Sequence, residues 1–352
     1  CRYQPKSPAG FNIAPGIALC GLLASVRGHD WRISLWRGSV YGIVPETKKQ
    51  GPKREPEQRC RRRQQRQHHK RKMTEMEKKI LLTDCPDAKG LIAKITNICY
   101  KHQLNIIKND EFVDHNQGRF FMRTELEGRF NDATLMEDLD DALPDGSSRR
   151  LVPSGRKRLV ILVTKESHCL GDILMKSYSG ALDVEIAAVV GNYDVLADLT
   201  EKFGIPYHTV SHEGLSREEH EEQVLAVVGQ YEPDYLVLAK YMRVLTPAFV
   251  RAYPYRIINI HHSFLPAFIG ARPYQQAFDR GVKIIGATAH FVTNDLDEGP
   301  IIEQAVINVN HTFNAEAMAK AGRDVERSVL SSALANVLDE KVFVYGNRTV
   351  VF

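Results

Sequence analysis

The stretch Arg256-Ile257-Ile258-Asn259-Ile260-His261-His262-Ser263-Phe264-Leu265-Pro266 sets the reading of the whole chain. Ile257, Ile258 and Ile260 form a short apolar run that suits a buried strand. Asn259 and His261 alternate with the isoleucines, and residues i and i+2 of a strand share a face. Both polar side chains therefore project together, and Leu265-Pro266 forces an extended turn after them. Polar groups at the C-terminal end of a strand, followed by a loop, mark where open α/β sheets place a ligand crevice. An amide that donates and an imidazole that moves a proton near neutral pH suit a carbonyl whose oxygen becomes negative. In isolation, a turn Asn and a surface His would look the same.

The flanking sequence carries the same fold outward. Leu159-Val160-Ile161-Leu162-Val163-Thr164 is a continuous apolar run, as in a central parallel strand covered on both faces. Strand patterns at 184–190, 205–209 and 235–239 alternate with helical patterns at 195–203 and 217–231. This alternation predicts right-handed βαβ crossovers and a doubly wound, mostly parallel sheet. Further on, 272–278 starts a helix with Pro273 in its first turn, where Tyr274 and Phe278 read as packing residues. A terminal helix at 316–338 and a hairpin around Gly346-Asn347-Arg348 complete the domain.

A second stretch gives the strand end a chemical context. His290-Phe291-Val292-Thr293-Asn294-Asp295-Leu296-Asp297-Glu298-Gly299-Pro300-Ile301-Ile302 comes after another apolar strand, Ile284-Ile285-Gly286-Ala287-Thr288. Together the two stretches resemble the formyltransferase family that handles 10-formyltetrahydrofolate, with its N-I-H strand end and its H-F-x-x-x-x-x-D-x-G-x-I-I segment. The resemblance implies that Asn259, His261 and Asp297 are catalytic and that His290 supports them. Lys240-Tyr241-Met242-Arg243-Val244-Leu245 resembles the family's folate-binding loop, so Met242, Arg243, Val244 and Leu245 are expected against the pterin ring. The branch with a phosphorylated amine acceptor carries a glycine-rich loop after the first strand, where backbone amides meet phosphate. Here that loop is Lys165-Glu166-Ser167-His168-Cys169-Leu170-Gly171-Asp172, with one late glycine. Glu166 and Asp172 would repel a phosphate. The S-H-C-L run resembles the deformylase branch, whose acceptor is water; His168 is then expected at the mouth of the site, and Cys169 reads as packing.

The activity implied by this resemblance is hydrolysis of 10-formyltetrahydrofolate to formate and tetrahydrofolate, feeding purine and one-carbon metabolism. Asn259 would donate to the carbonyl oxygen, His261 would move protons, and Asp297 would orient water and hold a histidine charged. The folate is substrate and no cofactor is implied. His261-His262 invites a zinc reading, but adjacent strand residues point to opposite faces, so no metal is expected. Three rivals stand beside the hydrolase: a formyltransferase with an amine acceptor, a folate-sensing protein without activity, and a nucleic-acid binder. The intact Asn-His-Asp set argues against the second.

Upstream, residues 76–152 read as a small α+β unit of order β-α-β-β-α, which is ferredoxin-like. Lys79-Ile80-Leu81-Leu82-Thr83 is a strand, Leu91, Ile92, Ile95, Ile98 and Cys99 recur at helical spacing, and Asn116-Gln117-Gly118 is a hairpin turn. The D-x-P-D-x-x-G-L loop, Asp84-Cys85-Pro86-Asp87-Ala88-Lys89-Gly90-Leu91, resembles the ACT domain, an amino-acid-binding regulatory module. In that family Gly90 would permit a tight strand-to-helix approach. A module that binds an amino-acid effector and one that only docks are both open. Leu151-Val152 is the single candidate for a closing strand, because 145–150 are polar. Pro153 to Arg158 then reads as a linker, with the catalytic domain at 159–352.

Residues 1–72 differ from the rest. Ten Lys or Arg face two Asp or Glu between Lys53 and Lys72, while the whole chain of 352 residues is only +4. The basic balance therefore belongs to this tail. It reads as a disordered or non-native extension ahead of a start at Met73; no aromatic residue interleaves the basic run, so nucleic acid is not expected as a partner. The apolar run at 17–24 is far too short to span a membrane. Six cysteines (Cys1, Cys20, Cys60, Cys85, Cys99 and Cys169) form no C-x-x-C pair, which points to a reducing compartment, the cytoplasm. A homo-oligomer is expected.

Overall fold

The computed structural model describes residues 76–267 and 272–352. The apolar run at 17–24, the basic run at 53–72 and the start at Met73 lie outside the described residues.

The small module contains β1 (Glu77–Pro86), α1 (Leu91–Lys101), β2 (Asn105–Asp114), β3 (Arg119–Gly128), α2 (Asp132–Ala142) and β4 (Ser148–Pro153). Its antiparallel sheet has the order β2-β3-β1-β4, so the ferredoxin-like motif closes. The closing strand is longer than Leu151-Val152 because an edge strand tolerates charge. Arg149 and Arg150 pair in register with Thr83 and Leu82. One face of the sheet buries Leu81, Leu126 and Phe120 against Leu91, Ile95 and Cys99 of α1 and Leu135 and Leu139 of α2. Gly90 caps α1 at φ 84, in the left-handed region, yet a Cβ there would meet nothing within 4 Å. The loop needs glycine for its backbone angle, not for the close approach inferred from the motif.

The large sheet is built from β5 (Lys157–Val163), β6 (Val184–Gly191), β7 (Tyr207–Thr209), β8 (Tyr235–Leu238), β9 (Ile257–His261), β10 (Ile284–Phe291) and β11 (Ile301–Asn308). Its helices are α3 (His168–Ser179), α4 (Ala197–Glu201), α5 (Arg217–Gly229), α6 (Pro247–Ala252), α7 (Pro273–Asp279) and α8 (Ala315–Leu338); β12 (Val342–Tyr345) and β13 (Arg348–Val351) form the last hairpin. Strand order is β11-β10-β9-β8-β5-β6-β7, parallel from β9 to β7 and antiparallel at β10 and β11. Helices α3 and α8 cover one face, and α5 and α6 the other. Burial on both faces is why the strands read as unbroken apolar runs. Strand β5 begins at Lys157, inside the segment read as a linker, so Ser154, Gly155 and Arg156 alone separate it from β4.

The two sheets are joined by β12. Phe343 packs with Ile80, Leu82 and Phe121 on the second face of the small sheet, its ring edge-on to Phe121 with centroids 5.7 Å apart. Beneath it, Arg123 of β3 donates to the Asp339 and Glu340 carbonyls just past the end of α8. A cation at a helix C-terminus is favourably placed against the helix dipole.

Candidate active site

Ile257, Ile258 and Ile260 bury in the large sheet and fix β9, so that Asn259 and His261 face the crevice at its C-terminal end. Each isoleucine contributes about 1.5–3 kcal/mol by its burial. Antiparallel pairing sets His290 of β10 directly opposite Asn259. The loop after β10 then carries Asp297 back over both, with Asp297 at φ 58. Gly299 makes this return possible: a Cβ at that position would lie 1.8 Å from the Phe291 carbonyl oxygen. Two residues before His290 on β10, the Thr288 hydroxyl donates to the Ser263 carbonyl and accepts from Leu265 N–H and Gln304 Nε2. The turn after the strand is thus pinned from beneath.

These groups line a cavity of about 380 Å³. His261 Nδ1 lies 3.3 Å from Asp297 Oδ2, and His290 Nε2 lies 3.7 Å from Asp297 Oδ1. A carbonyl can only accept, so the 2.9 Å contact of His290 Nδ1 with the Phe291 oxygen places a hydrogen on Nδ1. An unprotonated His290 Nε2 accepts from Asn259 Nδ2, 3.1 Å away, and a protonated one faces Asp297 instead. One hydrogen of the Asn259 amide remains for the cavity. His261 Nε2 is buried and has no hydrogen-bond partner within the protein. Burial works to raise the Asp297 pKa, but hydrogen bonds and charge from His261 and His290 outweigh it and hold the carboxyl well below the usual carboxylate range. The arrangement is an ionised carboxylate behind an imidazole whose far nitrogen has no partner in the protein, in a cavity that the Asn259 amide also lines.

The segment after β8 contributes to the same cavity. Met242, Arg243, Val244 and Leu245 all line the cavity, with Met242 and Val244 exposed to it and to solvent. Lys240 and His262 line the cavity as well. His262 does not point away from His261, as strand alternation would require. The strand ends at His261 and the chain bends, so the two rings stack with centroids 5.1 Å apart at 28°. Burial, and then the charges of Lys240 and His261, push the His262 pKa down to about 4. It therefore stands beside His261 as a neutral ring.

His168 is not on the cavity wall. Helix α3 begins at this residue and turns its imidazole onto α8, where Nε2 lies 2.8 Å from Glu326 Oε2. Glu326 also takes a hydrogen bond from Tyr274 and an ion pair from Lys240 at 3.2 Å. Three donors around one buried carboxylate outweigh its burial and bring its pKa down to about 2. Asp172, expected at the mouth, instead accepts from the Ser331 hydroxyl and pairs with Lys176, while Glu166 lies 3.4 Å from His168. The negative charge of the loop is thus matched within the protein.

Lys240, His262 and Glu326 are the site residues that sequence reasoning missed. Glu326 had one signal: it interrupts the apolar stripe Met318, Val325, Val329 of α8. Stacking of His261 on His262 removes the geometric argument against a metal, so the donors must decide. Among the described residues, His168, Cys169 and Glu326 are a group whose ligand atoms lie within 4.8 Å of one another. Burial and then the Glu326 charge push the Cys169 thiol far up, and the Lys240 ammonium already occupies Glu326. These donors fit a metal ion poorly.

Known proteins share this architecture. A family model for formyl transferase matches residues 157–334, and one for the ACT domain matches 79–144. A formyltetrahydrofolate deformylase of Escherichia coli O6:H1 is 68% identical over 279 residues, covering 79% of this chain and 100% of that one. The chain belongs to the formyltetrahydrofolate deformylase family. A solved deformylase of that family, from Pseudomonas syringae pv. tomato, superposes with a TM-score of 0.74 at 38% identity, over 82% of this chain and 99% of that one. A glycinamide ribonucleotide transformylase from Symbiobacterium toebii is more distant, with a TM-score of 0.55 and 27% identity over 57% of this chain and 96% of its own. The deformylase family thus joins an ACT module to a fold shared with transformylases.

Proposed function

We infer that the protein hydrolyses 10-formyltetrahydrofolate to formate and tetrahydrofolate. The observation that carries this reading is the cavity itself: His261, backed by ionised Asp297 and with Nε2 unpartnered, lines it together with Asn259 and Met242–Leu245. In the reaction, the formyl oxygen accepts from Asn259 Nδ2 and from protonated His261 Nε2 as charge develops on it. Asp297 holds His261 Nδ1 and orients water for attack on the formyl carbon. The C–N bond breaks, the departing nitrogen takes a proton, and formate leaves. His290 holds Asn259 and Asp297 in register. Donors of this kind contribute on the order of 10²–10³ in rate each. Met242, Val244 and Leu245 give the folate ring an apolar slot, with Arg243 at its rim. No step needs a cofactor beyond the folate substrate. His168 acts only through Glu326 in this scheme, since it does not reach the cavity.

Transfer to an amine is the alternative, favoured by the transformylase likeness at lower identity. Purified protein given 10-formyltetrahydrofolate and no acceptor separates the two: steady formate release is the expected result, and no turnover without an amine would overturn it.

We further divide the chain into an extension (1–72), an ACT-like module (76–152) that binds an amino-acid effector, and a catalytic domain (159–352). The edge strand β2 exposes Ile107 and Phe112, a surface suited to a homo-oligomer. Cys85, Cys99 and Cys169 are free thiols, in keeping with the cytoplasm. No helix among the described residues is long and apolar enough to cross a membrane. Formate so released would feed purine and one-carbon metabolism.

A further inference from the structure

We propose that Lys240, locked in place by Glu326, is the residue that reserves the cavity for water and keeps amines out. The proposal rests on the hydrolase reading.

Three observations converge on Lys240. Its backbone is left-handed at φ 61, a conformation that favours glycine and that a long side chain adopts at a cost. Its side chain is only 5% exposed, although a buried ammonium is expensive to desolvate. It lines the cavity beside Asn259, His261 and His262. A strained backbone carrying a buried charge at a site wall persists where the surrounding structure holds it for a function. Here Glu326 does the holding, with its side chain 1% exposed and its other donors, His168 and Tyr274, fixed by α3 and α7.

The other walls give Lys240 its place in the reaction. The formyl carbon must sit against Asn259 and His261. The folate ring takes the Met242–Leu245 side. The nucleophile is then placed toward Lys240 and His262, which also line the cavity. Water is small enough to fit between a fixed ammonium and an imidazole, and can accept a hydrogen bond from the ammonium while facing the carbon. A primary amine brings at least one carbon substituent, which meets the lysine side chain, and in its protonated form it also meets like charge. With water, the oxygen bonds to the formyl carbon, the C–N bond breaks and a proton passes to the folate nitrogen. With an amine the same bond breaks and the proton lost by the attacking nitrogen passes to the folate nitrogen. The chemistry is common to both nucleophiles, so the wall decides between them.

The test replaces Lys240 in the full chain with glycine, which relieves the backbone, and separately with asparagine, which also tolerates φ above zero. Both variants and the parent receive 10-formyltetrahydrofolate carrying a labelled formyl carbon, with and without excess glycinamide. The parent should release label only as formate. In Lys240→Gly and Lys240→Asn, formylated glycinamide should rise from none to about a tenth of turnover or more, at the expense of formate. Glu326→Gln, which frees the ammonium without removing it, should give an intermediate share. If the variants make formate alone with glycinamide inert, or lose both products while still binding folate, Lys240 does not select the nucleophile. A parent that itself needs glycinamide would instead overturn the hydrolase reading, so the two failures are distinct.

Discussion

Asp297 and His262 show how one small cavity sets two ionisation states. Asp297 is held ionised by two histidines, so acidification to about pH 4.5 will not protonate it. Asp297→Asn should cut kcat by about 10²–10⁴ with KM nearly unchanged, because the carboxylate that holds His261 and orients water is lost. Steady-state kinetics on the folded variant check this; near-normal kcat would remove Asp297 from the mechanism. His262 has its pKa depressed in the folded state, to about 4. Its contribution to stability is therefore complete above the unfolded value near about 6.5 and is lost as pH falls through the folded one. Thermal melts of His262→Phe should decline less than the parent between about pH 6.5 and about pH 4. Parallel curves would mean that His262 titrates normally. At this scale the sequence was legible where residues alternate on a strand, as for Asn259 and His261. It was not legible where the chain bends. His262 comes one residue after the strand, and no local pattern says that its ring folds back onto His261. His168 was misplaced for a related reason: its partner Glu326 is 158 positions away.

Helices and strands were readable from period and apolar content, and their contacts with one another were not. Strands β5 and β8 are each buried on both faces and appear as apolar runs. The helix expected at 195–203 shrinks to Ala197–Glu201, a single short turn-and-a-half between β6 and β7. The motif glycine Gly299 is an element-scale device. It lets the loop bearing Asp297 pass against the end of β10, within reach of the Phe291 carbonyl. Gly299→Ala should push that loop outward, lowering stability by about 1–3 kcal/mol and turnover by tenfold or more. Denaturant melts and kcat together check it. A variant with parental values for both would show that the loop has slack. Gly90, by contrast, has open space around it, so the left-handed angle alone accounts for a glycine there.

The whole molecule couples a ferredoxin-like module to a doubly wound domain through the last hairpin and the end of α8. Arg123, whose side chain is 3% exposed, grips the end of α8, and the same helix carries Glu326 beside Lys240. The closing strand of the small module was legible only at Leu151-Val152, because polar residues conceal its start, and its docking through β12 was not legible, because Phe343 reads as an ordinary hairpin residue. Arg123→Ala leaves the Asp339 and Glu340 carbonyls without their charged donor. Stability should fall by about 1.5–3 kcal/mol, and calorimetry should resolve two transitions where the parent gives one. An unchanged single transition would mean that the hairpin contact alone unites the modules. The activity of the assembled molecule rests on which nucleophile reaches the formyl carbon. The direct measurement is turnover of 10-formyltetrahydrofolate in ¹⁸O-labelled water, with and without a primary amine, and then mass analysis of the products. Formate carrying one labelled oxygen, formed at the same rate whether or not amine is present, is the result expected of a deformylase; unlabelled formate, or a formylated amine in its place, would contradict it.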